Sequence, residues 1–501
     1  MFVGDILVAQ GLVTTDDIAL ALERQRTEGG SLGDGLVRMG RVDPSELERV
    51  LNVIPGSPTT VEETGIPRSM LFNLLLKAIY TAGVETQSAI GDVLGLPPAV
   101  VDDLLDEAGS RQLVVMGGAG AVLTAQTRYV LTAAGVEWAQ AALHQNQYVG
   151  PAPVPLADFC EQIGLQRISN ERIDQAAIER VFGDLTISNE MVERLGPAIN
   201  SGRSILLYGP PGNGKTSVAE RVATLFRTVV YIPHCIEVGG QIIKVFDAAI
   251  HRPVEGQTGE LSNRPTLHRE NFDRRWEACW RPIVVTGGEL NLEMLDIGFN
   301  ADSGFYEAPL HVKALGGIFI IDDFGRQLVT PTILLNRWIV PMESRVEHLK
   351  LKSGKSFSLP FDELLIFSTN LSPSELMDAA FLRRLPYKIE IGAPTPDAWR
   401  DIFKKCAKSA DVDVAHEIID DIMADITERH SFKLAAYQPR FIIDQVRAAC
   451  RFENRPARFD PHLIRLALSN MHTKDTPGFE APRASVVRPP RPIGLAAVDA
   501  A

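Results

Sequence analysis

The stretch that limits this chain most is residues 209–216, Gly-Pro-Pro-Gly-Asn-Gly-Lys-Thr. It follows the apolar run SILLY (204–208), bounded by polar residues as a buried strand would be, and precedes the helical pattern SVAERVATLF. A glycine-rich turn leading from a strand into a helix is a phosphate loop of the GxxxxGK[ST] form, in the setting that form requires. The glycines let backbone N–H groups turn inward around phosphates, and the helix N-terminus adds the positive end of its dipole. The expected nucleotide-binding residues are therefore Gly209, Pro210, Pro211, Gly212, Asn213, Gly214, Lys215, Thr216 and Ser217. Lys215 is placed to reach the β- and γ-phosphates and the Thr216 hydroxyl to ligate a metal, so ATP and Mg²⁺ are the expected cofactors.

Two later runs supply what hydrolysis needs. Residues 316–326 read GGIFIIDDFGR, a buried strand ending in two carboxylates. Asp322 is the expected second metal ligand, and Asp323 the base that orients and deprotonates the attacking water. Residues 364–370 (LLIFSTN) form another apolar strand, ending at Asn370, which is placed to position that water or sense the γ-phosphate.

This order of motifs resembles the AAA+ superfamily, from about Ile168 to Asn470. The resemblance implies an α/β P-loop core with an α-helical lid, ATP hydrolysis and assembly into a ring, a hexamer. Residues 378–385 (DAAFLRRL) resemble the segment that gives an arginine finger to the neighbouring subunit, with Arg384 as the finger and Arg383 the alternate. After residue 400 the chain reads as helices, and Gln438-Pro439-Arg440 resembles the lid motif whose arginine reaches the γ-phosphate. AAA+ proteins usually place a glutamate after the metal-binding aspartate; here it is Asp323, one methylene shorter. The long stretch from Lys215 to Asp322 leaves room for an insertion, in which RPIVVTGGELNLEMLDIGF (281–299) reads as a hairpin around Gly287–Gly288. A helix and a hairpin turning at Ser353–Gly354 come before Asn370. That layout is similar to the branch holding the MoxR-like chaperones and magnesium chelatase subunits, and implies a chaperone-like action on a protein client.

The first fifty residues contain a repeat: residues 2–22 align with 31–51 at an offset of 29, with identities at Gly4/Gly33, Asp5/Asp34, Leu7/Leu36, Val8/Val37, Gly11/Gly40, Val13/Val42 and Leu22/Leu51. Each copy reads as a short helix ended by glycine, a turn and a second helix, with Thr14/Asp17 and Asp43/Glu46 at capping-box spacing. The pattern LGxxLVxxGxV resembles the N-terminal domain of type II secretion and type IV pilus assembly ATPases, some of which bind cyclic di-GMP through paired copies. This chain has Phe2 and Ser31 where that motif carries arginine, and Ile54 where the second copy would close on glutamine. Protein contact is therefore the expected role, with cyclic di-GMP binding the alternative. A link to secretion or pilus machinery is what the resemblance implies.

Helices over Leu71–Ala82, Thr86–Leu94 and Ala99–Glu107, then strands Leu113–Met116 and Arg128–Leu131 around a GGAGA tip, outline a winged helix. Its recognition-helix position carries Asp102, Asp103, Asp106 and Glu107 against one Arg111, which opposes a phosphate backbone. DNA binding by this segment is the rival reading; a protein partner is preferred. The formal charge of −13 agrees: residues 1–150 hold nine of the 50 basic but eighteen of the 63 acidic side chains. Nucleic acid is not an expected partner.

The expected fold class is thus multidomain: an all-α repeat domain (1–54), a winged-helix-like domain (68–150), an α/β P-loop AAA+ core (165–398), a helical lid (399–472) and a disordered tail (476–501). Five scattered cysteines without a CxxC pair argue against a disulfide framework or zinc site. With no basic leader before the first apolar run and no membrane-length apolar stretch, a cytoplasmic protein with no membrane insertion is expected.

Overall fold

Short runs of Ile, Leu, Val and Phe build the central sheet. In the computed structural model, which describes residues 3–28, 32–51, 53–117, 127–254, 272–376, 382–429 and 432–471, five of them pair side by side. They are β1 (Ile205–Tyr208), β2 (Ile283–Thr286), β3 (Ile318–Ile321), β4 (Leu364–Thr369) and β5 (Tyr387–Glu390). Their order is β5-β1-β4-β3-β2, every neighbour parallel. β3 and β4 are buried at every residue, whereas β2 alternates exposed and buried, as an edge strand does. Trp338 packs edge-on against Phe319 of β3 and Phe367 of β4, at 5.8 and 6.1 Å between ring centres.

β2 corrects the sequence reading of residues 281–299. Val284, Val285 and Thr286 do not turn back at Gly287–Gly288 into a hairpin; they run parallel to β3, Ile283 opposite Ile318. A β-branched run with alternating burial suits a sheet edge as well as a hairpin arm, and the long-range partner decided between them. The remaining strands between Lys215 and Asp322 lie on both sides of β2 in the sequence. Before it, Val229–Pro233 pairs antiparallel with Trp276–Trp280. A second five-stranded sheet joins Gly298–Asn300, Phe305–Glu307, Gln241–Lys244, Cys235–Val238 and Val154–Pro155 in that order.

The chain divides into two compact units. The first is Met1–Gly183, Ile187–Gly209 and Lys215–Ile391; the second is Asp184–Thr186, Pro210–Gly214 and Gly392–Ala501. In the first unit the repeat is visible bond by bond. Helices Val3–Ala9 and Leu32–Arg38 end at Gly11 (φ 71°) and Gly40 (φ 64°). Leu12 N–H donates to Leu7 O and Arg41 N–H to Leu36 O, each at 3.0 Å. Thr14 and Asp17 then cap helix Thr15–Glu28 reciprocally, Thr14 N–H donating to Asp17 Oδ2 (3.0 Å) and Asp17 N–H to Thr14 Oγ1 (3.2 Å).

Helices Arg68–Ala82, Gln87–Leu94 and Pro98–Ser110 are followed by antiparallel strands Val114–Gly117 and Arg128–Leu131 and by helix Ala133–Gln145. The GGAGA tip beyond Gly117 lies outside the described residues. Half of the acidic face read on the third helix is neutralised within the fold. The Arg68 guanidinium donates to both oxygens of Asp103 (2.6 and 2.9 Å) and to Glu107 (2.6 Å). The β-hairpin expected before Asn370 is present, Val346–Lys350 against Ser356–Pro360, with Gly354 at φ 91° in its turn.

The second unit holds helices Pro396–Ser409, His416–Ala424, Gln438–Phe452 and Pro461–Met471. They close on Trp399, Phe403, Ile442 and Leu463, and Trp399 Nε1–H donates to Gln438 Oε1 at 3.1 Å. No helix among the described residues is long and apolar enough to cross a membrane. The expected tail, residues 2 and 31, and residues 378–381 of the arginine segment lie outside the described residues.

Candidate functional site

The phosphate loop leaves β1 at Gly209 and enters helix Lys215–Ala223. Gly209 has φ 139°, and a Cβ there would lie 2.4 Å from Ile391 O, so no larger residue fits. The Lys215 ammonium donates to Gly209 O at 3.0 Å and is buried, which lowers its pKa, while Asp322 and Asp323 pull it back up. An ammonium already largely out of water has less hydration to lose on meeting an anion.

Thr216 and Asp322 meet as the motifs require: Thr216 Oγ1–H donates to Asp322 Oδ2 at 2.8 Å. One hydroxyl and one carboxylate converging beside a phosphate loop form the donor set that suits Mg²⁺, whose remaining ligands come from phosphate and water. Asp322 N–H is itself fixed by β2, donating to Thr286 O at 2.8 Å.

Asp323 stands at φ 48°, in the left-handed region. Its Oδ1 accepts from Asn370 Nδ2–H at 3.0 Å, so the two residues assigned to the attacking water are brought together. The turn is held from beneath by Gln327, a residue the sequence reading missed. Its Nε2 donates to Asp322 O at 3.2 Å, and its Oε1 accepts from Gly325 N–H at 2.8 Å. Its signal was slight, a glutamine just after a strand, and only its burial reveals the role.

The two arginines stand otherwise. Arg384 Nε–H donates to Glu343 Oε1 at 2.5 Å, an ion pair within one chain. The Arg440 side chain is 84% exposed, 3.8 Å from Asp444 one helical turn on. In the second unit it is Tyr437, also missed, that meets the loop: its N–H donates to Gly212 O (2.9 Å), and a Cβ on Gly212 would lie 2.4 Å from its ring. Asn213 Oδ1 accepts from Ala436 N–H at 3.1 Å. Pro210, Pro211, Gly212 and Ser217 are exposed.

A loop after a strand one in from the edge of a parallel sheet, a lysine and threonine opening the next helix, and a carboxylate at the end of a nearby strand form the arrangement of a phosphate loop. Comparison with known proteins finds the following similarities. The chain is 26% identical over 141 residues to a proteasome-activating nucleotidase of Methanocella arvoryzae, a match covering 26% of this chain and 34% of that protein. It thus spans about a third of that relative's length. Residues 395–470 match a family described as a domain of unknown function, DUF8689. Among solved structures, domain III of the Thermotoga maritima replication initiation protein DnaA is similar over 58% of this chain and 96% of its own, with 11% identity and a TM-score of 0.32. The T. maritima RuvB Holliday junction branch migration motor is similar over 56% of this chain and 69% of its own, with 15% identity and a TM-score of 0.31.

Proposed function

We propose that this chain is an ATP-hydrolysing ring protein of the AAA+ type that remodels a protein partner. The observation that carries the reading is the convergence of the Thr216 hydroxyl and the Asp322 carboxylate, 2.8 Å apart, beside the buried ammonium of Lys215. The similarity to a proteasome-activating nucleotidase supports it.

Lys215 takes the β- and γ-phosphates, and Thr216 and Asp322 hold Mg²⁺. When bound, the metal neutralises charge building on the phosphoryl oxygens. Asp323 accepts a proton from the attacking water, and Asn370 orients that carboxylate through its 3.0 Å bond. Arg384 exchanges Glu343 for phosphate on the adjoining subunit, which is why the active form is a ring; the AAA+ resemblance makes that ring a hexamer. Arg440 is the lid's contribution. Residues 1–54 and 68–150 are adaptor domains for the client, and the repeat ties that client to a secretion or pilus machine.

Lys215→Ala should abolish ATP binding, read by titration with a fluorescent ATP analogue, and reduce turnover to background while the circular dichroism spectrum is unchanged. Full binding and turnover in that variant would overturn the proposal.

A further inference from the structure

The helix Arg68–Ala82 carries a buried cation that nucleotide chemistry does not use. Lys77 is 3% exposed. An ammonium has three N–H donors, and among the described residues one partner is present, the Asn146 carbonyl at 2.9 Å. Among the described residues no carboxylate pairs with it, and burial pushes its pKa down to about 8. A dry ammonium with two unused donors and no counter-charge is an expensive arrangement.

Lys77 lines a cleft of about 260 Å³ within the first unit, between this helix, the end of helix Ala133–Gln145 and the turn before Gln241. Ser69, Asn73, Gln145 and Gln241 add neutral polar groups; Met70 and Leu74 add an apolar wall. Among the described lining residues Lys77 is the one charged side chain. One buried cation balances one negative charge, since a dianion would leave a buried charge unpaired. The volume corresponds to roughly nine water molecules at about 30 Å³ each.

We infer that this cleft is a binding site for a small, singly charged organic acid. The carboxylate sits on Lys77 and a short apolar body lies against Met70 and Leu74. The bound acid bridges the helical segment and the second sheet, which contributes Gln241. The site is independent of the phosphate loop, and its success or failure leaves the nucleotide reading untouched.

The test uses the full chain and three probes, benzoate, phenylacetate and hexanoate, each beside its neutral amide. Calorimetric titration at pH 7 should show saturable binding of at least one acid and at least tenfold weaker binding of its amide. Lys77→Met removes the charge at similar length and should weaken the acid at least tenfold. Leu74→Trp keeps Lys77 but fills the cleft, and should do the same. Hydrogen exchange should slow on acid binding in residues 68–82 and 133–146. Failure of all three acids to bind the wild type, as in a cleft that holds only water, overturns the inference. So does equal binding of acid and amide, or unchanged affinity in folded Lys77→Met.

Discussion

At the scale of single residues, Asp323 explains itself once its backbone is seen. With φ at 48° it occupies a conformation in which Asp and Asn are far more at ease than longer side chains. Where the AAA+ resemblance leads one to expect a glutamate, this chain has the acid that suits a left-handed turn, and Asn370 meets the shorter side chain at 3.0 Å. Asn shares this backbone preference, so Asp323→Asn should keep the turn and the affinity for ATP. It should lower turnover about 100-fold or more, the range for loss of a general base. Steady-state hydrolysis checks this; turnover equal to wild type would remove Asp323 from that role. Lys215, Thr216 and Asp322 were legible in the sequence because their chemistry fixes their spacing. Gln327 and Tyr437 were not, because each acts through contacts with residues that no local pattern links to it.

Among elements, the helix Leu310–Lys313, the hairpin strand Val346–Lys350 and the start of β4 bring three titratable groups into the core. Burial pushes His311 down to about 3, with Arg337 adding to the effect, so it is neutral. Its Nε2 lies 3.5 Å from Glu347, which pairs with Arg337 at 2.7 Å. Glu363 is fully enclosed, and neither of its oxygens has a hydrogen-bond partner among the described residues. Burial raises its pKa well above the usual value; Glu347 and Asp362 raise it further, and Arg345 opposes them. The native state thus keeps a proton that the unfolded chain releases above about 4.5. A raised native pKa makes stability fall as pH rises from the unfolded value towards the native one. Glu363→Gln removes that loss, and should raise the thermal midpoint by about 2 °C or more at pH 7. The gain should vanish near pH 4, where both states hold the proton. Equal midpoints across pH would contradict a protonated Glu363. The hairpin itself was legible through Ser353–Gly354, whereas β2 was misread because its partner β3 lies outside any sequence window.

For the molecule as a whole, the acidic surplus of the N-terminal third takes on a different meaning. Arg68 consumes Asp103 and Glu107 internally, leaving a smaller charged face than the composition implied. Nor is the repeat an appendage. Leu7, Leu36 and Val50 belong to the same apolar cluster as Phe159, Val230 and Trp276. Val53 O accepts from Gln162 Nε2–H at 2.7 Å, and Asp273 N–H donates to Pro55 O at 3.0 Å. Removing residues 1–54 should lower the first thermal transition by about 4 °C or more, the effect of a few kcal/mol in a unit this size. A midpoint unchanged by calorimetry would mean that the repeat does not share that core. The order of the motifs is legible because each announces its own segment; the core they share is not, because burial between segments leaves no period. The strand order carries a further cost in time. β1 must wait for both its neighbours, β4 and β5, which follow it by roughly 160 residues or more. At ribosomal speeds of about 5–20 residues per second, that is roughly ten to thirty seconds with both edges of an apolar strand unpaired. A nascent chain stalled before β5 is complete would present that strand to its neighbours on the same messenger, and co-translational aggregation would begin there.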